Sequence, residues 1–214
     1  MTLGVMIIDL AKGMLTSIEI FLLTLVFSQP LGLLVSLGRM SKNRIVSTVI
    51  KAYIAVMRGT PLMLQLIVVY FAPFYIFGFN LTGFRFPAII IAFSINYAAY
   101  FAEIYRGGIE AIPKEQYEAA EVLGYTRAQT FFRIILPQVV KIVLPSVTNE
   151  IITLVKDTSL AFVLAQAEMF TIAKQIAAKE ASVGPLMVAG VFYFIFNFVV
   201  AFVMERIEKK LDYY

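Results

Sequence analysis

The sequence contains no cysteine, no histidine and no tryptophan. Without cysteine there is no disulfide framework, no thiolate metal ligand and no thiol nucleophile. Without histidine the commonest metal ligand and general base is missing as well. Charged residues make up 15% of the 214 residues, whereas soluble domains carry about 25%. The absence of cysteine and histidine predicts no metal, no cofactor and no catalytic residues, and it gives little support to a membrane enzyme.

Apolar residues, by contrast, make up 60% of the chain. A chain of this length cannot bury that much apolar surface in its own interior, so lipid must surround a large part of it. The sequence predicts an all-α membrane protein with one transmembrane domain over residues 1–214 and five spans. The hydrophobic runs of spanning length lie at 14–38, 61–79, 86–111, 131–155 and 185–205.

A sixth apolar run, Leu160–Ala167, is too short to cross a bilayer. It predicts a segment that is re-entrant or buried in protein. Extension of this run through residues 169–176 would give a sixth span, but Glu168 and Lys174 argue against that interpretation.

The distribution of basic residues predicts the orientation. Twelve Lys and Arg residues fall in the segments 39–58, 106–133 and 206–210, and four fall in the segments on the opposite side. The positive-inside rule then places the N-terminus outside and the C-terminus in the cytoplasm, which agrees with an odd number of spans. The net charge of +4 fits this bias and does not indicate a nucleic-acid partner.

The loop between the third and fourth spans carries the signals of a short cytoplasmic helix over residues 113–124. Pro113 suits a first helical turn, where its missing N–H costs nothing. Glu115 and Glu118 complement the positive end of the helix dipole. Gly124 suits the end of the helix, where a left-handed residue is required.

Spacing in this loop resembles that of a known family. Glu118-Ala119-Ala120 is followed after three residues by Gly124, after nine more by Ile134 and after one more by Leu136-Pro137. This pattern resembles the signature loop of the permeases of binding-protein-dependent ABC importers. Three further stretches resemble the polar amino-acid branch of that family: Arg58–Pro61, Ala102–Ile109 and Leu154–Leu160.

The resemblance implies the ABC type I importer permease fold in a bacterial inner membrane. It implies that the loop is a coupling helix that docks in the ATPase subunits, two per complex. The residues expected to make this contact are Tyr117, Glu118, Ala119, Ala120, Leu123 and Gly124. The chain has no phosphate-binding loop of its own, so the ATPase is a separate subunit. The other implied partners are an extracytoplasmic amino-acid-binding protein and a second permease, for which a homodimer is favoured.

Polar residues within the predicted spans form the candidate substrate site. Asn96, Tyr100 and Glu103 share one face of the third span, and Glu150, Thr153 and Asp157 share one face of the fourth. Ser159 follows where the non-spanning segment begins. Charges in hydrocarbon are costly and usually face a cavity or a partner. The alternative is that some of these residues only hold the helices together.

Charge balance in the spans favours a basic amino acid, such as arginine, lysine or histidine, as the substrate. Four acids, Glu19, Glu103, Glu150 and Asp157, lie within or at the ends of the spans, against Lys141 and Lys156. A carboxylate left without a partner in low dielectric takes up a proton or binds a cation. A neutral amino acid such as glutamine remains an alternative, and so does an ion-gradient-driven secondary transporter or channel.

Overall fold

A computed structural model describes residues 2–211, and within that range every regular element is helical. The predicted all-α class is confirmed. The described residues form α1 (Leu3–Arg39), α2 (Arg44–Gly59), α3 (Leu62–Phe77), α4 (Arg85–Glu110), α5 (Lys114–Val122), α6 (Arg127–Thr130), α7 (Leu136–Asp157), α8 (Met169–Glu180) and α9 (Gly184–Leu211). A π-helical turn, Phe131–Ile135, joins α6 to α7, and a 3-10 helix, Thr158–Leu164, continues α7.

Four helical segments in the described range are long and apolar enough to cross a bilayer: α1, α4, the continuous segment Arg127–Leu164, and α9. Helices α2 and α3 meet at an angle of 113° and form a fifth candidate if the bent pair is one broken span. Several helices are longer than the predicted spans. Helix α1 begins at Leu3 rather than near residue 14, and α9 runs to Leu211 rather than 205.

The break between α2 and α3 falls at Thr60 and Pro61. Pro61 lacks an N–H and precedes the first turn of α3, so α2 cannot continue through it. Helix α3 has 16 residues, about 24 Å of helix, which is less than the roughly 30 Å hydrocarbon core. Helix α2 also packs against the bundle, since its buried residue Ile54 lies with Val35 of α1 and with alanines of α4.

Helix α4 is the centre of the bundle and packs against α1, α2, α3 and α7. Glycines allow two of the close approaches. A Cβ atom on Gly32 would lie 2.8 Å from Cβ of Phe101, and one on Gly108 would lie 2.2 Å from Cγ1 of Val143. Small residues at helix contacts are typical of membrane bundles, because they let the backbones come together.

The segment Leu160–Ala167 forms most of the 3-10 helix and the turn that follows it. Ala165, with φ 52°, reverses the chain before α8. Helix α8 has 12 residues and is therefore about 18 Å long, too short to span. It packs against α1 and α9, and a Cβ on Gly13 would lie 2.7 Å from Cα of Met169. The segment thus turns back into the bundle and adds no sixth span within residues 2–211.

Candidate functional site

The loop between α4 and α7 contains the short helix that the sequence indicates. Helix α5 spans Lys114–Val122, with Pro113 as its N-cap residue. Gly124 follows the helix with φ 76°, a left-handed conformation that glycine adopts without steric cost. The turn is closed by the N–H of Tyr125, which donates to the carbonyl oxygen of Ala120 at 3.0 Å.

Five of the six residues expected to contact an ATPase are exposed on this loop: Tyr117, Glu118, Ala119, Leu123 and Gly124. The sixth, Ala120, is only 1% exposed and faces the permease itself. Val122, which the sequence analysis did not single out, is 88% exposed, and its neighbour Leu123 is 73% exposed. Large apolar side chains on an otherwise polar, exposed helix favour contact with another protein.

A pair of glutamines ties α5 to α7. Gln116 Nε2 donates to Gln138 Oε1 at 3.0 Å, and Gln138 Nε2 donates to Gln116 Oε1 at 2.6 Å. Gln138 Nε2 also donates to the carbonyl oxygen of Ile134, in the π-helical turn, at 2.7 Å. The short helix is therefore bonded directly to the start of a membrane span. Sequence spacing gives no sign of this contact, because the two residues lie on different helices.

A cavity of about 380 Å³ opens where the break between α2 and α3 meets α4 and α7. Five of the seven predicted substrate residues line it: Asn96, Tyr100, Glu150, Thr153 and Asp157. The cavity has further lining residues that were not predicted from the sequence: Thr60, Pro61, Leu62, Tyr97 and Leu160. A site at a broken span is a common arrangement in membrane transport proteins, because the break leaves backbone groups available.

Asp157 is anchored across the cavity by α4. Its Oδ2 atom accepts a hydrogen bond of 2.8 Å from the hydroxyl of Tyr97. Tyr97 is 2% exposed, and its ring stacks on that of Phe93 with centroids 6.5 Å apart. The packing of α4 thus fixes the position of the carboxylate at the end of α7.

Glu150 is the second acid of the cavity. It lies seven residues before Asp157 on α7, and the two therefore share one face of the helix. Glu150 is partly buried. Within residues 2–211 its carboxylate has neither a hydrogen bond nor an ion-pair partner. The hydroxyl of the neighbouring Thr153 donates to the carbonyl oxygen of Asn149 at 2.9 Å and not to Glu150.

Asn96 lines the cavity, but its side-chain amide serves the break between α2 and α3. Asn96 Nδ2 donates to the carbonyl oxygen of Met57 at 3.0 Å and to Gln65 Oε1 at 2.9 Å. Gln65 Nε2 in turn donates to the carbonyl oxygen of Met57 at 3.0 Å and to the hydroxyl oxygen of Thr60 at 2.8 Å. This network satisfies backbone carbonyls that the break leaves without helical partners.

Two predicted substrate residues do not line the cavity. Glu103 pairs with Arg106, whose Nη2 lies 2.7 Å from Glu103 Oε2, and Arg106 also pairs with Glu110 at 2.5 Å. Arg106, three residues further along α4, thus neutralises Glu103. The spacing of polar residues on one helix face does not reveal this ion pair. Ser159 donates its hydroxyl to the carbonyl oxygen of Lys156 at 2.8 Å.

Glu168 is a buried acid outside the cavity, and it holds the returning segment in place. Its carboxylate accepts from the N–H of Phe170 at 2.6 Å, the N–H of Thr171 at 2.7 Å and the Thr171 hydroxyl at 2.8 Å. The hydroxyl of Tyr193 on α9 donates to it at 3.2 Å. In the sequence Glu168 argues only against a span, whereas in the fold it caps α8 and joins it to α9.

The remaining charges of the predicted spans lie elsewhere. Glu19 is exposed on the outer face of α1. Lys141 lies beside Glu205 and Glu208 in a separate cavity between α7 and α9. Among the described residues no three metal-capable side chains come together.

Comparison with known proteins places the chain in a family. Residues 28–213 match the family described as the binding-protein-dependent transport system inner membrane component. The L-cystine transport system permease protein TcyB of Bacillus subtilis (strain 168) is 39% identical over 210 residues, covering 96% of this chain and 87% of TcyB. The arginine transport system permease protein ArtQ of the same strain is 34% identical over 201 residues, covering 94% of this chain and 91% of ArtQ.

A solved structure gives the same result. The crystal structure of an amino acid ABC transporter with histidines contains a chain that superposes with a TM-score of 0.85 at 30% identity, covering 94% of both chains. The same family is indicated by the fold, by the exposed short helix and by the two permease relatives. The chain belongs to the family of binding-protein-dependent transport system inner membrane components, as a permease subunit of an amino-acid ABC transporter.

Proposed function

We propose that this chain forms the translocation path for a cationic amino acid, arginine, lysine or histidine, and that the cavity at the α2–α3 break is its binding site. The observation that carries this proposal is the pair of acids, Glu150 and Asp157, in one cavity lined by α4 and α7, which belong to two of the candidate spans. Tyr97 partners one of them, and the other has no partner within residues 2–211. A carboxylate in that position is stabilised by a cation.

The carboxylate of the substrate needs donors, and the first turn of α3 supplies them. The opening N–H groups of a helix have no intrahelical acceptor, and the helix dipole favours an anion there. The cavity is lined by Pro61 and Leu62 at this end of α3, and Pro61 makes no side-chain capping bond. Asn96 and Ser159, two of the predicted substrate residues, are less suitable donors because both are already bonded within the protein.

A neutral amino acid is the alternative substrate. The relative with 39% identity is named as a permease for L-cystine, and the one named for arginine is 34% identical. With a neutral substrate, one acid of the cavity would bind the substrate's amino group and the other would remain protonated or paired within the protein. The two substrates therefore differ in whether the second acid is needed as a carboxylate.

For the assembly, we propose two copies of this permease, two ATPase subunits docked on α5, and an extracytoplasmic binding protein. Four polar residues of α7 support the second copy: Ser146, Asn149, Thr153 and Lys156. They are all exposed and follow one face of the helix at offsets of three, seven and ten. Lipid is a poor solvent for such a stripe, so it faces a protein partner or water between the two copies.

The predicted orientation forms part of the same proposal: the N-terminus lies outside, and α5 and the C-terminus lie in the cytoplasm. It is supported by the bias of basic residues in the sequence and by the exposed apolar pair, Val122 and Leu123, on α5. An ATPase driven by cytoplasmic ATP requires its docking helix on that side.

The test is amino-acid-stimulated ATP hydrolysis by the complex reconstituted with its ATPase and binding protein. Arginine or lysine is expected to stimulate, and glutamine and cystine much less. Glu150→Gln and Asp157→Asn should each raise the half-maximal arginine concentration by about ten- to a hundredfold, the loss expected for one charged hydrogen bond. Glu205→Gln, an exposed acid paired with Lys209 on α9, is the matched control.

Two outcomes would contradict different parts of the proposal. If glutamine or cystine, and not arginine or lysine, stimulates the unmodified complex, then the assignment of a cationic substrate is wrong. If both variants keep the full arginine response, the cavity is not the binding site, although the permease assignment stands.

A further inference from the structure

Arg58 is a cation that lies beside the acidic cavity without joining an ion pair. It is in the last turn of α2, and its Cζ atom lies 5.2 Å from the centroid of the Tyr100 ring, which lines the cavity. The side chain is exposed. Within residues 2–211 the guanidinium makes no hydrogen bond or salt bridge. An aromatic face is thus the only close partner of this cation in the described part of the chain.

The charge of Arg58 nevertheless acts on the acid that has no partner of its own. Tyr100, on which Arg58 lies, and Glu150 line the same cavity, and Glu103 lies one turn further along α4 than Tyr100. Glu103 already has a closer cation in Arg106, at 2.7 Å. The positive charge of Arg58 therefore stabilises the Glu150 carboxylate more than it stabilises Glu103.

An arginine stacked on a ring at an exposed position holds its place weakly. A cation–π contact at such a site contributes about 0.5–1 kcal/mol, and exposed side chains change rotamer in picoseconds to nanoseconds. The long stem of Arg58 lets its guanidinium leave Tyr100 while α2 stays in place. Two positions are then open to the charge, one on the aromatic ring and one among the carboxylates.

We propose that Arg58 is a tethered counter-ion that competes with the substrate cation for the acids of the cavity. This inference rests on the proposed function, because it requires that the acids bind a cationic amino acid. With the cavity empty, the guanidinium exchanges between the Tyr100 ring, where the structure has it, and the Glu150 carboxylate. When the amino acid binds, its own cation displaces the guanidinium, which returns to the ring.

The tethered counter-ion offsets an electrostatic cost that the two acids of the site create. Two carboxylates at membrane depth are unfavourable once the substrate has left, since an isolated buried charge is costly. A tethered cation compensates them and also competes with the substrate, so it weakens binding and speeds release. Its positive charge also affects selectivity, because it weakens the binding of a cationic substrate more than the binding of a neutral one.

Equilibrium binding of radiolabelled arginine and glutamine to the purified permease–ATPase complex, without nucleotide or binding protein, tests the inference. Arg58→Gln should lower the arginine Kd by about five- to fiftyfold, the range expected for removing one charge near a partly screened site. The glutamine Kd should change by less than about twofold. The rate of arginine release should fall in parallel with the arginine Kd.

Two further variants separate charge from packing. Lys51→Gln removes a positive charge from an exposed residue on the same face of α2, two turns earlier, and should leave both Kd values unchanged. Arg58→Lys keeps the charge and should give an arginine Kd close to that of the unmodified complex. Arg58→Met, which removes the charge and keeps a long side chain, takes the place of Arg58→Gln if that variant fails to assemble.

The inference is overturned if Arg58→Gln leaves the arginine Kd unchanged, if it shifts arginine and glutamine equally, or if Arg58→Lys behaves like Arg58→Gln. Failure of the proposed function gives a different result. In that case the unmodified complex binds glutamine or cystine but neither arginine nor lysine, whatever stands at position 58.

Discussion

Tyr97 and Asp157 connect the two helices that form the candidate site: the Tyr97 hydroxyl on α4 donates to Asp157 Oδ2 on α7 at 2.8 Å. Tyr97→Phe removes this bond and keeps the packed ring. We expect it to destabilise the complex by about 0.5–2 kcal/mol, the range for polar contacts between membrane helices. We also expect a change in arginine affinity, because Asp157 loses its only hydrogen-bond donor in the described residues.

Thermal unfolding in detergent and equilibrium arginine binding measure both effects. Tyr70→Phe is the control, since Tyr70 packs against Phe71 and Phe84 and its hydroxyl has no partner among the described residues. If Tyr97→Phe matches Tyr70→Phe in both measurements, the hydrogen bond has no role in the site.

The glutamine pair between α5 and α7 predicts a mechanical phenotype. Gln138→Leu removes the bonds to Gln116 and to the Ile134 carbonyl but keeps a side chain of similar size. We expect ATP hydrolysis to continue while the amount of amino acid transported per ATP falls by about two- to thirtyfold, the range for residues that carry coupling between sites. Hydrolysis and uptake are measured on the same proteoliposomes.

Gln175→Leu makes the same replacement on the exposed face of α8, away from the loop, and should leave the ratio unchanged. An unaltered transport ratio in Gln138→Leu would show that the bonds between α5 and α7 do not transmit the motion.

Substitutions at Gly124 separate two effects on docking of the ATPase: that of backbone conformation and that of an added charge. Its φ of 76° favours glycine, but asparagine and aspartate also tolerate that region, and a Cβ there would meet nothing within 4 Å. Gly124→Asn should therefore retain coupling, whereas Gly124→Asp should place a charge at the docking turn and uncouple hydrolysis from transport. Co-purification of the ATPase and uptake assays distinguish them. Normal uptake by Gly124→Asp would contradict the docking assignment.

Topology can be measured directly because the chain has no native cysteine. Lys12→Cys on α1 and Lys114→Cys on α5 both replace exposed residues. A membrane-impermeant thiol reagent applied to intact cells should label the first and not the second, while both should react in permeabilised cells. The reverse pattern would contradict the proposed orientation.

Some of this architecture follows from the sequence alone because its signals are local. Pro113 and Gly124 bracket α5, since one lacks an N–H and the other permits a positive φ. Helical spacing brings Glu150 and Asp157 to one face of α7, and both line the cavity. These relationships depend only on residues within a few turns of each other.

Relationships between helices were not predictable in this way. Arg58 entered the sequence prediction only as one of the basic residues that indicate orientation, and its position beside Tyr100 depends on the broken α2–α3 pair. Glu103 looked like a site residue because it shares a face with Asn96, yet Arg106 neutralises it. Glu168 was seen only as a charge that disfavours a span, because its donors, including Tyr193, come from the folded segment and a distant helix.

We propose above all that this permease passes a cationic amino acid through a cycle driven by ATP. Uptake of radiolabelled arginine into proteoliposomes that hold the complex, with binding protein outside and no ion gradient, tests this proposal. We expect accumulation when ATP is enclosed and none when ADP is enclosed, with loss of accumulation in Glu150→Gln. Accumulation that needs an imposed proton or sodium gradient, and is equal with ATP and ADP, would contradict it and identify an ion-driven transporter instead.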